Sequence, residues 1–258
     1  MKLAIIGYGR MGHMIEKVAR ERGHSIVAII DADNVDQIDS PEFRSADAAI
    51  EFSTPSTAVD LILRAFTSKV PVVSGTTGWL DSLPDLRDMC DKGAGTLLYS
   101  SNFSVGVNVF MAINEYLAQL MDRFPEYSPS LTEVHHIHKL DHPSGTAVTL
   151  ANEIVERVER VRDWAEPGCG CETPSDSLPV CHERRGEVPG IHTVSWKSPV
   201  DEITIRHEAF SREGFALGAV MAAEWLKGKQ GFHTFSEVLG ISPVSYTHLR
   251  AHETRSNL

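Results

Sequence analysis

The stretch KLAIIGYGRMGHMIEKVARERGHSIVAIID, residues 2–31, decides the fold. Five residues of apolar character (2–6) run into Gly7-Tyr8-Gly9-Arg10-Met11-Gly12, which matches G-x-G-x-x-G. The next residues have helical character and stop at Gly23. A β-branched run then closes on Asp31. A glycine motif alone says little. Here it follows a strand, opens a helix and has an acidic residue ending the next strand, which is the context of a dinucleotide-binding turn. Each part has a physical task. Gly7 permits the tight turn and Gly9 lets a pyrophosphate approach the backbone. Gly12 lets the helix pack close to the sheet, and the helix N-terminus faces the anion. Asp31 is placed to accept hydrogen bonds from ribose hydroxyls. A carboxylate there suits a free 2′-hydroxyl, and Ala32, Asp33 and Asn34 supply no cation for a 2′-phosphate. The expected cofactor is therefore NADH, with NADPH as the alternative.

Working outward, AAIEFST (48–54), VPVVSGTTG (70–78) and GTLLYSSNFSVG (95–106) read as further strands. They alternate with helical patterns over 56–68 and near 84–92. That alternation implies an α/β fold with a Rossmann-type, doubly wound parallel sheet. Every loop that follows a strand then lies on one edge. Gly75, Thr76 and Thr77, and Ser100, Ser101, Asn102 and Phe103, end strands on that edge; they either line the cofactor cleft or are simple turns. The pattern changes after Ser104. A long apolar helix (105–122), a strand around SLTEVHHIHK (130–139), a helix from Gly145 to about Val161 and two strands flanking Ser198-Pro199 suggest a central α+β domain with an open mixed or antiparallel sheet. An open sheet favours self-association. The expected division is 1–104, completed by about 214–241, and 105–213. Residues 165–187, rich in Gly, Pro, Ser and Cys, read as a loop.

Composition narrows the function. With 24 basic against 35 acidic residues, the net charge of −11 argues against broad nucleic-acid binding. No apolar run is long enough for a membrane span, and the N-terminus reads as a buried strand, not a signal peptide. Four cysteines in 258 residues make no disulfide scaffold, so a reduced, cytoplasmic protein is expected.

The second cluster of interest is EVHHIHKLDHPSGTA, residues 133–147. On a strand, period two would put Glu133, His135, Ile137 and Lys139 on one face and His136 and His138 on the other. Ser144 is placed to cap a helix whose first N–H groups, at Gly145 and Thr146, make an anion site. A bound carboxylate, a metal and plain surface histidines are all open readings of the run. Metal is disfavoured, because adjacent histidines on a strand diverge and no further ligand is paired with them. Cys169-Gly170-Cys171 with Cys181-His182 is likewise not a standard zinc spacing.

GYGRMG, GTTG, SSNFSVGVN, EVHHIHKLDHPSGTA and RHEAFSREGFALGAV, in this order, make the chain resemble the 4-hydroxy-tetrahydrodipicolinate (dihydrodipicolinate) reductase family up to about residue 241. The resemblance implies reduction of a small cyclic dicarboxylate by NAD(P)H in lysine and diaminopimelate biosynthesis, and a homotetramer. It implies His135 as general acid, Lys139 as second proton donor, His136 as a substrate ligand, and Gly145 and Thr146 as the carboxylate grip, with no metal. It also implies cofactor contacts from Gly7 to Gly12, Asp31, Gly75 to Thr77 and Ser100 to Phe103. The resemblance gives His138 no firm role, and the cysteine-bearing loop is not a motif that it carries over. Residues 242–258 carry no apolar stripe and are expected to be foreign to the fold or disordered.

Overall fold

The computed structural model describes residues 1–167 and 174–241. Cys169, Cys171 and the segment 242–258 lie outside these. The chain divides into two compact units, Met1–Val105 with Glu213–Ile241, and a second beginning at Gly106 and running to Arg212.

In the first unit the strands are β1 (Lys2–Ile6), β2 (Ser25–Ile30), β3 (Ala48–Glu51), β4 (Val72–Ser74), β5 (Thr96–Tyr99) and, close to the end of the chain, β11 (Gly231–Thr234). They form one parallel sheet in the order β11-β5-β4-β3-β1-β2. The helices are α1 (Arg10–Glu21), α2 (Pro41–Arg44), α3 (Pro55–Thr67), α4 (Leu83–Asp91), α7 (Glu213–Leu226) and α8 (Phe235–Leu239). Strand alternation divides the core. Leu3 and Ile5 pack with Ile15, Val18 and Ala219 on the side of α1 and α7. Ala4 and Ile6 pack with Phe43, Ile62 and Leu86 on the side of α2, α3 and α4. Both faces are covered, which is why the strands are continuously apolar and not alternating. The strand order reverses between β1 and β3, and the Gly7 turn sits at that switch point. The expected doubly wound fold is thus found. β11 went unread in the sequence: its four residues, Gly231-Phe232-His233-Thr234, are too few to show a period.

The second unit has α5 (Val105–Met121), α6 (Gly145–Arg157), β6 (Ser128–His135), β7 (Asp163–Ala165), β8 (Ser177–Arg184), β9 (Gly190–Lys197) and β10 (Glu202–Ala209). Its sheet runs β10-β9-β6-β8-β7. The β6–β9 and β9–β10 pairs are antiparallel, and β6–β8 and β7–β8 are parallel. Leu131, Val180, Val194 and Trp196 on one face pack against Phe110 and Ala118 of α5 and Leu150 and Ile154 of α6.

Two expectations need correction. Within 165–187, residues 177–184 are not loop but the strand β8, held between β6 and β7; its Pro and Cys hid it. The strand expected over 130–139 ends at His135. Ile137 N then bonds Gly186 O, and Lys139 N bonds His136 O in a turn. Strand alternation therefore does not bring Lys139 beside His135.

α7 fits its place because it is small-faced. A Cβ on Gly218 would stand 1.7 Å from the carbonyl oxygen of Phe103. In a helix interior, Gly→Ala normally gains about 1 kcal/mol. Here overpacking against backbone, typically about 1–3 kcal/mol, outweighs that gain. Gly218→Ala is expected to lower the thermal unfolding midpoint; a raised midpoint would contradict the packing described.

Candidate active site

The parallel sheet delivers Gly7, Asp31, Ser53, Gly75 and Ser100 to one edge, each just past a strand. Gly7 has φ +88, and a Cβ there would lie 2.2 Å from Phe52 O, so glycine is required. Gly12 is as tight, with its Cβ position 2.4 Å from Gly7 O. At Gly9, by contrast, a Cβ would meet nothing within 4 Å. That openness lies at the N-cap of α1, which carries no side-chain cap. An anion could reach the free N–H groups there.

A cavity of about 530 Å³ is lined by Gly7, Tyr8, Gly9, Asp31, Asp60 and neighbours, with no Lys or Arg among the lining residues. A second, about 410 Å³ and more open, is lined by Gly9, Arg10, Met11, Gly75, Thr76 and Thr77 among others. The first is the larger of these two and carries two carboxylates, Asp31 and Asp60, on its wall. Ser100 to Phe103 line neither of these two cavities; Phe103 is buried against Phe52 and Phe235.

Sequence reasoning missed the residue that organises the edge. Glu51, at the end of β3, has no exposed surface. Its carboxylate accepts bonds from Ser53 N (2.8 Å), Ser53 Oγ (2.6 Å), Ser74 Oγ (2.5 Å) and Thr76 Oγ1 (2.6 Å). It ties the loop after β3 to the loop after β4. The signal was faint: one Glu at the end of an otherwise apolar strand.

In the second unit a similar carboxylate sits under the histidines. Glu133, also without exposed surface, lies two residues before His135 on β6, and the pleat puts both on one face. Ser144 N donates to both Glu133 oxygens at 3.2 Å. His135 Nδ1 is 3.4 Å from Glu133 Oε2, His192 Nε2 is 3.7 Å away, and Arg184 Nη1 is 3.5 Å from Oε1. Ser144 caps α6 by accepting from Ala147 N, and its Oγ lies 3.2 Å from His192 Nε2. Arg184 also donates to the carbonyls of Lys139 (3.1 Å) and Asp141 (2.8 Å), holding the loop beyond β6. His192 stands directly across from Glu133 in the β6–β9 register, which no sequence pattern reveals.

These contacts shape protonation. Burial works to raise the Glu133 carboxyl; hydrogen bonds with His192 and Ser144, and the charge of His135, prevail and hold it at about 2. Burial drives His135 down to about 4, against the pull of Glu133 and with the push of His192, Lys139 and Arg184. His135 is thus neutral near pH 7 in the free protein. Its Nε2 side is kept open by Gly190, whose added Cβ would stand 3.1 Å away.

The remaining expected site residues are placed as follows. Gly145 opens α6 with nothing within 4 Å of an added Cβ, and Thr146 follows it. Lys139 Nζ is paired with Asp141 at 2.7 and 2.9 Å. His136 is half-buried, with Nδ1 buried and unpartnered. His138 is exposed beside Glu187.

Sequence models of dihydrodipicolinate reductase match both units: the N-terminal region over residues 1–103 and the C-terminal region over 106–239. The chain belongs to the dihydrodipicolinate reductase family. A 4-hydroxy-tetrahydrodipicolinate reductase of Christiangramia forsetii is 46% identical over 239 residues, covering 93% of this chain and 98% of the relative. The Archaeoglobus fulgidus enzyme of the same name is 35% identical over 263 residues, covering 93% and 100%. A solved dipicolinate-bound dihydrodipicolinate reductase from Paenisporosarcina sp. TG-14 shares the fold, with a TM-score of 0.72 at 20% identity over 92% of this chain and 98% of that one. Membership of the family makes the protein an oxidoreductase of lysine and diaminopimelate biosynthesis that uses a nicotinamide cofactor. Among the described residues, no helix is long and apolar enough to cross a membrane.

The buried pair sets a pH dependence. Glu133 is depressed below its ordinary value, so its contribution is present above about pH 4.5 and is lost as pH falls towards 2. His135 is also depressed, so the fold loses stability as pH falls from about 6.5 towards 4. Both act in the same direction. Urea unfolding from pH 7 to 3 is expected to show stability falling with acid. Glu133→Gln is expected to be less stable at pH 7 by on the order of 2–3 kcal/mol, and flatter below pH 4.5. Parallel curves for the two proteins would refute the assignment.

Proposed function

We propose that the protein reduces 4-hydroxy-tetrahydrodipicolinate to tetrahydrodipicolinate with NADH, using His135 as the proton donor. The observation that carries this reading is the Glu133 carboxylate, which joins His135 and the start of α6 in one buried network. The acid and the anion cradle are then parts of a single rigid unit.

A reduced nicotinamide, when bound, would supply a hydride for the conjugated ring. The chain's own residues do the rest. The N–H groups of Gly145 and Thr146 hold one substrate carboxylate at the head of α6. His136, whose buried Nδ1 is unpartnered, contributes to substrate binding. Lys139 exchanges Asp141 for the second carboxylate and offsets charge that develops in the transition state. His135 gives its Nε2 proton to the electron-rich position left by hydride addition, while Glu133 faces Nδ1 and stabilises the imidazolium. In the free protein that imidazole is neutral near pH 7. A dianionic substrate beside it opposes the effect of burial, so the substrate itself helps to load the proton.

In kinetic terms, His135→Ala is expected to lower kcat by roughly 10²–10⁴, the usual worth of a general acid. Lys139→Ala is expected to raise KM for the dicarboxylate as well. Turnover near that of the wild type in the first, or unchanged KM and kcat in the second, would remove that residue from the site.

The preference for NADH rests on Asp31 and Asp60 lining the adenosine-sized cavity without a cation. Comparing kcat/KM for the two cofactors tests it; a strong NADPH preference would overturn the reading.

A homotetramer is supported by the bare face of the second sheet. The register sets Ser130, Ser195 and Thr204 in one row, and Thr132, Thr193 and Arg206 in the next. This face, rich in hydroxyls, is opposite the one that α5 and α6 cover and suits a second sheet of the same kind. Sedimentation equilibrium is expected to return the mass of four chains; a monomer mass would exclude the assembly.

A further inference from the structure

We propose that His142, Glu166 and His182 form a transition-metal site of the second unit, selective for zinc-like cations. His142 Nδ1 lies 3.1 Å from both Glu166 oxygens, and His182 Nδ1 lies 3.0 Å from Oε1. The three ligand atoms all fall within 4.8 Å of one another. Both Nδ1 atoms face the Glu166 carboxylate; the rings stack with centroids 4.3 Å apart and planes inclined by 20°, so binding one ion turns one ring about its Cβ–Cγ bond until the two lone pairs converge. Bonds of about 2.0–2.1 Å in a tetrahedral zinc site put ligand atoms about 3.3 Å apart. The two His–Glu separations reach that spacing with shifts of a few tenths of an ångström.

The backbone that presents these ligands is fixed from three directions. Glu166 follows β7, whose last residue, Ala165, pairs with Pro179 of β8. His182 lies within β8, opposite Glu133 of β6. His142 stands two residues before Ser144, which Glu133 grips. A fixed backbone lowers the ordering cost that ligands on loose surface segments incur. Among the described residues, Glu166 forms ion pairs with these two histidines and with no Lys or Arg. Its charge is therefore open to a cation. Two imidazoles and one carboxylate favour zinc, nickel or copper over magnesium and calcium, which prefer oxygen cages. Three protein ligands leave a fourth position for water. The alternation of β8 puts Cys181 on the opposite face from His182, so it is not one of the ligands. Bound metal would tie the loop carrying Lys139 to β7 and β8.

Calorimetry on the full chain, freed of metal and titrated with Zn²⁺, tests this. One Zn²⁺ per chain is expected, with no competition from excess Mg²⁺. His182→Ala and Glu166→Gln are each expected to weaken it roughly tenfold or more, while far-UV circular dichroism stays that of the wild type. Zn²⁺ should raise the thermal midpoint of the wild type and not of either variant. Co²⁺ in place of zinc should give visible d–d bands without a thiolate charge-transfer band. Absence of binding, undiminished binding in both variants, or a thiolate band that assigns the metal to cysteines would each overturn the proposal.

Discussion

A carboxylate without exposed surface, Glu133, is the constraint on which the second unit depends. It receives the backbone N–H at the cap of α6 and lies in charge contact with His135, His192 and Arg184. Burying a charge is costly unless its oxygens are satisfied. The fold satisfies them with groups that themselves need fixing: the end of a strand, the start of a helix and the root of a loop. Removing that charge therefore does more than delete one contact. It would leave a helix start, two imidazoles and a guanidinium without their common partner. The same arrangement bears on chemistry, because the residue that holds the geometry also pulls the proton affinity of His135 upward against the effect of burial.

The first unit repeats the device with different partners. Glu51 satisfies its buried carboxyl oxygens with hydroxyls and one N–H, and among the described residues no Lys, Arg or His pairs with it. The two loops that it joins follow β3 and β4, on the edge where the Gly7 turn opens α1. A flat row of strand ends would leave such loops to move independently. Cross-linking them through one carboxyl group keeps the wall of the cavity in place before any ligand arrives, and such preorganisation favours binding.

Much of this was legible in residues 2–31, because the turn, helix and strand there are local and each carries its own periodicity. Ser144 as the cap of α6 was legible for the same reason. The hairpin of β9 and β10 was visible from alternation around Ser198-Pro199. β8 was not, since Pro179 and Cys181 dilute its pattern and both its partners, β6 and β7, are parallel, so no short hairpin turn marks it. Lys139 was placed on a strand face that ends four residues earlier. The competing influence was tertiary: Arg184 and Gly186 capture the chain beyond His135 and turn it. Glu133 was seen as a neighbour of His135 on one face, yet its role needed His192, 59 residues away and directly opposite in register.

By itself the sequence determined the parallel sheet with its glycine turn, the anion-ready start of α6, and the family to which the chain belongs. These depend on short-range periodicity, capping and motif spacing, which are properties of contiguous residues. Tertiary structure alone decided which buried carboxylate governs each loop cluster, that His135 is held neutral, and that His142, Glu166 and His182 converge. Those outcomes depend on strand register and burial. Both are set when distant segments pair, and desolvation acts on a group only once other parts of the chain have closed over it.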